Sequence, residues 1–182
     1  MKGRERPRVL AVRCADPVLS MLAPVGLAAS VGTALIVDLA DQAGRGERTL
    51  ADVAREGPRL AELSPGRSGV ALLRGGDLPM SEAPDVIYDL ASRWPVVVVR
   101  LADHGWPGPT VPVIALYPGR LAPVSTAAAV WQRLPAGPRP PGPGPVLPLI
   151  RPGLVRRVLA GGLPARGPWV EAWRAVWELP WA

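Results

Sequence analysis

The chain has 182 residues, 48% of them hydrophobic, enough to fill one core and short enough for one domain. Its single cysteine, Cys14, excludes an internal disulfide and a cysteine-cluster zinc site, and its place beside an apolar strand makes a buried, inert thiol the simplest reading. A formal charge of +6 raises an acidic partner such as nucleic acid or an anionic membrane, but the arginines are scattered, and the only dense basic runs are residues 2–8 and Arg156 with Arg157. A solvated surface follows, and nucleic acid is disfavoured as a partner. The 24 prolines, the 20 glycines, the absence of phenylalanine and the one lysine, Lys2, run through every segment, as the codon bias of a GC-rich bacterium would produce.

In chain order, a basic tail (1–8) precedes a short apolar strand at 9–13, bounded by Pro7 and by Asp16-Pro17. Residues 19–30 have helical spacing and stop at Gly32, and 34–39 form a buried strand carrying Asp38 near its end. Strand, helix, strand predicts a βαβ unit with a parallel pair. Thr49 and Asp52 have the spacing of a capping box opening a helix that ends at Gly57, and 60–63 add a turn. A strand at 69–73 and a helix at 81–93 follow. The stretch 95–101 has four valines in a row, which without alternation implies burial on both faces at the centre of a parallel sheet.

The second half predicts a strand at 111–116, an alanine-rich helix at 125–134, a proline- and glycine-rich surface loop at 135–145, a last core strand at 146–150, and helices at 154–159 and 168–179. Alternating strands and helices imply an α/β fold with a doubly wound, mostly parallel sheet flanked by helices in three layers, spanning 1–182 as one domain. The start of the chain makes a poor signal peptide, because Arg13, Asp16 and Pro17 interrupt its apolar stretch. Residues 21–37 are broken by Pro24, Gly26 and Gly32, short of the roughly 20 apolar residues a membrane span needs. The expected location is the cytoplasm.

Chemistry-bearing clusters are few. His104 beside Asp103 could act as a general base or simply occupy a turn; adjacent side chains do not easily converge on one substrate, and no nucleophile lies nearby. One His and one Cys leave no metal site signalled. Trp169, Trp173, Trp177 and Trp181 recur every four residues, a spacing that keeps them near one side of a helix, with Arg174 off that line. Such a stripe suits packing against the sheet, a protein partner or homodimer interface, or contact with a membrane surface.

Several stretches resemble the ParA/MinD family of P-loop ATPases. TALIVDLADQ (33–42) is similar to the family's second strand, which ends in V-D-x-D, and RTLADVAREGPRLAELSPGRSGVALLRGG (48–76) resembles the segment leading into its third strand. WPVVVVRLADHG (94–105) stands in the place of the Walker B strand and switch loop. VPVIALYPGRLAPVSTAAAVWQRL (111–134) resembles the strand that reads valine-threonine-proline and the helix after it, and LAGGLPARGPWVEAWRAVW (159–177) resembles the closing element. The resemblance implies a P-loop-type fold and, in active members, ATP hydrolysis with magnesium. It also implies that Asp38 matches the aspartate that activates water, although an acid at a strand end equally caps the next turn. MinD itself ends in an amphipathic membrane-binding helix.

The departures are as informative. Where the family has K-G-G-x-G-K-[ST], this chain reads RCADPVLS (13–20): no glycine lets the backbone wrap phosphate, no lysine reaches it, and Asp16 would repel it. Only Ser20 stands where the magnesium-binding hydroxyl belongs, and Arg100 takes the Walker B place unless Asp103 substitutes. Arg13, Asp16, Ser20, Asp38, Asp41, Arg100 and Asp103 therefore outline a degenerate nucleotide pocket with no cofactor. The resemblance implies a pseudo-ATPase, a scaffold or positioning protein for cell-division site selection, partitioning, or pilus and secretion assembly, as in the TadZ/CpaE-like branch with its atypical P-loops. Two other readings are a divergent nucleotide-binding protein that clamps phosphate with Arg13 and Arg100, and a nonspecific DNA-binding accessory protein.

Overall fold

A computed structural model describes residues 9–41, 47–63, 69–102, 105–121, 127–164 and 166–181. The basic tail, Asp103, His104 and Ser125 lie outside them. Seven strands form a single sheet: β1 (Val9–Arg13), β2 (Ala34–Asp38), β3 (Val70–Arg74), β4 (Val97–Leu101), β5 (Thr110–Leu116), β6 (Val130–Arg133) and β7 (Val146–Leu147). Their order is β3-β2-β4-β1-β5-β6-β7, and every pairing is parallel. The α/β fold with a parallel sheet between helical layers is thus as the alternation predicts. Among the described residues, no helix is long and apolar enough to cross a membrane.

The strand pleat divides the core in two. Leu10, Val12, Ile36, Val96 and Val98 face a layer of α1 (Pro17–Val31), α5 (Pro152–Leu159) and α6 (Pro168–Ala172), which runs directly into a 3-10 segment, Trp173–Glu178. Val9, Ala11, Leu35, Val37, Val97 and Val99 face α2 (Leu50–Glu56), α3 (Leu60–Leu63) and α4 (Ala83–Ala91). The four valines at 96–99 alternate between these cores, which is why their run has no polar phase.

α1 lies between the sheet and the C-terminal elements, and it is apolar around most of its circumference because both sides are covered. Gly26 permits the close approach on the outer side: a Cβ there would lie 2.4 Å from Trp173 Nε1 and 2.5 Å from Trp169 Cη2. α2 opens with the capping box expected from sequence. Thr49 Oγ1 accepts from the Asp52 N–H (3.3 Å), and Asp52 Oδ2 accepts from the Thr49 N–H (2.8 Å).

Three boundaries differ from the sequence reading. Residues 130–133 are strand, not the end of a helix at 125–134: the alanines favour helix, but β6 pairs with β5 on one side and β7 on the other. The last strand stops at Leu147, because Pro148 has no N–H to continue the ladder. The final helix is α only to Ala172 and 3-10 from Trp173 to Glu178. The loop at 135–145 folds back onto β6, where Pro143 and Pro145 carbonyls accept from the Ala129 and Trp131 amides (3.1 and 2.8 Å) and Pro143 also from Trp131 Nε1 (3.1 Å).

Candidate functional site: a helix start closed by the chain's own charges

In a parallel sheet, ligands enter at the carboxyl ends of strands, where a following helix presents free amides. Here that position is the edge where β1, β2 and β4 end and α1 begins. Asp16 is the N-cap of α1: its Oδ1 accepts from the Leu19 N–H (2.7 Å) and its carbonyl from the Ser20 N–H (2.8 Å). Pro17 at the first helical position has no N–H to offer. The Tyr117 hydroxyl donates to the second oxygen of Asp16, and this bond to a carboxylate pushes the Tyr117 pKa above its ordinary value. The helix start that would cradle an anion is therefore already occupied by a carboxylate of the chain.

Beside it, Arg100 is paired directly across the sheet with Asp38, whose Cα is its partner in the β2–β4 register. Arg100 Nη1 donates to Asp38 Oδ2 at 2.8 Å and Nη2 to Ser20 Oγ at 3.1 Å; Ser20 Oγ in turn donates to the Pro17 carbonyl at 2.9 Å. The other oxygen of Asp38 accepts from the Ala40 and Asp41 N–H groups (3.0 and 3.1 Å), which fixes the turn after β2. Both side chains are largely buried, Arg100 at 19% exposure and Asp38 at 12%, so the pair compensates two costly desolvations. Arg100 Nε is buried without a partner among the described residues.

The seven residues of the expected pocket do not form one constellation. Ser20, Asp38 and Arg100 are joined, with Asp16 next to them at the helix cap. Asp41 turns away to Arg74, at 3.4 Å. Arg13 alternates to the other side of the sheet and lines a different cavity, with Leu101, Trp106 and Thr110. It cannot clamp a ligand together with Arg100, because the pleat directs consecutive odd and even positions to opposite faces. Asp103 lies outside the described residues. Cys14 sits at the rim, half-buried rather than in the core, and burial pushes its thiol up to about 11.

These residues do not fit a nucleotide phosphate. A phosphate at the start of α1 would meet the Asp16 carboxylate, find the Leu19 and Ser20 amides taken, and have to draw Arg100 away from Asp38. Among the described residues no group of three or more His, Cys, Asp or Glu side chains is placed to hold a metal ion.

The tryptophan stripe also requires correction as an exposed face. Trp169, Trp173 and Trp177 are at most 4% exposed and pack on α1 and the sheet, and only Trp181 is partly exposed. Three of the four ring nitrogens are tied inward: Trp169 Nε1 donates to Gln132 Oε1 (2.8 Å), Trp177 Nε1 to Ser30 Oγ (3.1 Å) and Trp181 Nε1 to the Val176 carbonyl (2.7 Å), while Trp173 Nε1 is buried with no partner among the described residues. Arg174 is exposed and reaches back to the Ser30 carbonyl at 3.4 Å. A buried indole meets neither lipid nor a partner, so the stripe's spacing reflects core packing.

Sequence reasoning missed Tyr117, Gln132 and Gly26. Gln132 is buried and bridges three elements, with its Nε2 donating to the Arg133 and Pro148 carbonyls, each at 2.8 Å, while Oε1 holds Trp169. A glutamine between Trp131 and Arg133 carried no local signal of this, but a polar residue in a strand between apolar neighbours was the available cue. In comparison with known proteins, the chain matches no family model, no curated protein and no solved structure.

Proposed function

We propose that the protein is a non-catalytic, ParA/MinD-like scaffold or positioning protein that keeps the α/β frame of a nucleotide switch and has replaced phosphate binding with internal pairing. The observation that carries this reading is the Asp38–Arg100–Ser20 network beside a helix start capped by Asp16. Its cellular setting, by resemblance alone, is cell-division site selection, partitioning, or pilus or secretion assembly, with a protein partner or a second copy bound through its surface. Peripheral membrane contact loses its main support, since three of the four tryptophans of the stripe are buried. The reading in which Arg13 and Arg100 hold nucleotide together is disfavoured by their opposite faces, and no basic stripe favours DNA.

Thermal unfolding with and without about 1 mM magnesium-ATP or ADP tests the proposal. A ligand at about 100 times its Kd adds about 2.7 kcal/mol, a shift of several degrees for a chain of this size. Unchanged melting is expected; a clear shift would turn the scaffold into a switch and overturn the reading.

A further inference from the structure

A separate cavity lies between α5 and α6, lined by none of the residues at the start of α1. It has a volume of about 550 Å3. Its floor is carbon, formed by Leu154, Trp169 and Val170, of which the last two are at most 5% exposed. Three arginines line it, Arg151, Arg157 and Arg166, and among the described residues no Asp or Glu does. All three are exposed, and none has an ion pair or a side-chain hydrogen bond among the described residues. Elsewhere Arg48, Arg55, Arg59, Arg74 and Arg100 each hold a carboxylate.

We propose that this cleft binds a small organic anion with an apolar body: a carboxylate, sulfonate or phosphate monoester carried on an aromatic or aliphatic skeleton. The volume falls within the roughly 300–1,000 Å3 of ligand pockets, which combine apolar walls with a few polar groups that orient the ligand. Guanidinium groups present paired donors that match the oxygens of such a head group. A bare inorganic ion would leave the carbon floor without contacts, and an uncharged apolar molecule would leave three like charges around the cleft uncompensated. The wall is stiff where it matters, because Trp169 is held by Gln132 from below. This inference does not rest on the scaffold reading.

The test is a fluorescence titration of the full chain with 8-anilinonaphthalene-1-sulfonate, compared with the uncharged N-phenyl-1-naphthylamine. The wild type should bind the sulfonate saturably, one per chain. The combined Arg151→Ala, Arg157→Ala and Arg166→Ala variant should weaken it by about tenfold or more, since even one lost charge-assisted hydrogen bond is worth that much. Binding of the uncharged dye should change far less, and Leu154→Trp, which fills the floor, should weaken both. The arginines are exposed, so unchanged melting of the arginine variant verifies that the fold is intact. Equal sulfonate affinity in the wild type and the arginine variant, or no saturable binding to the wild type, would overturn the proposal.

Discussion

The edge at the start of α1 and the cleft between α5 and α6 use arginine in opposite ways. At the first, Arg100 is largely buried, bonded to Asp38 and Ser20, and placed beside the start of α1. At the second, Arg151, Arg157 and Arg166 are exposed, unpaired among the described residues and gathered around an apolar floor. The contrast teaches that capacity for an anion is not set by how many arginines are present but by whether the chain has already supplied their counter-charges. α1 connects the two regions: Asp16 caps its first turn, and Gly26 further along seats Trp169 and Trp173, the former being the wall of the cleft.

The largest effect should come from the wall. Gln132→Leu removes three hydrogen bonds, worth about 1 kcal/mol each, and leaves the buried Trp169 ring nitrogen without its acceptor, while the Arg133 and Pro148 carbonyls are only part-buried. Urea unfolding should therefore show a loss of about 3 kcal/mol or more, accompanied by weaker sulfonate binding in the cleft. Next is the closed edge. Arg100→Ala strands the Asp38 carboxylate on its turn amides alone, and because both partners keep some exposure the loss should be about 2–4 kcal/mol, below that of a fully buried pair.

Gly26→Ala sets two effects against each other. A helix interior gains about 1 kcal/mol from alanine, but the new Cβ would stand 2.4–2.6 Å from two indoles, and overpacking costs about 1–3 kcal/mol or more. Destabilisation should win, and a stabilised variant would show that the indoles can retreat. Asp16→Ala should cost about 1 kcal/mol as a lost cap, and the Tyr117 phenol should titrate lower once its acceptor is gone.

The smallest effect is a control outside both regions. Hydrogen bonds from the Thr49 backbone N–H and hydroxyl, and then the Arg55 guanidinium, lower the Asp52 carboxyl to about 2 from 3.8. A lowered folded pKa contributes stability above the unfolded value and loses it as pH falls from about 4 through 2, so Asp52→Asn should flatten that acid limb slightly.

Local pattern was legible wherever one segment decides its own structure: the buried valines of β4, the Thr49–Asp52 box, and Gly32 ending α1 at φ 87°. It failed where distant segments decide. The alanines before Val130 favour helix, and only pairing with β5 and β7 makes β6 a strand. Residues 13–20 lack the lysine and glycines that a phosphate loop requires, and that much is legible in the sequence. The pairing found there was invisible, because Arg100 lies 62 residues from Asp38 and 80 from Ser20, and Tyr117 lies 101 from Asp16. The tryptophan spacing identified a shared side but not what covers it, since a core stripe and an interface stripe have the same period.

A double-mutant cycle on Asp38→Ala and Arg100→Ala, measured by urea unfolding of the two single variants and the double, tests most directly that the chain's own charges close the edge at the start of α1. The pair should show a coupling of about 1.5 kcal/mol or more, with the double variant less destabilised than the sum of the singles. Additive losses would mean that Arg100 and Asp38 do not hold one another, and that the position is open.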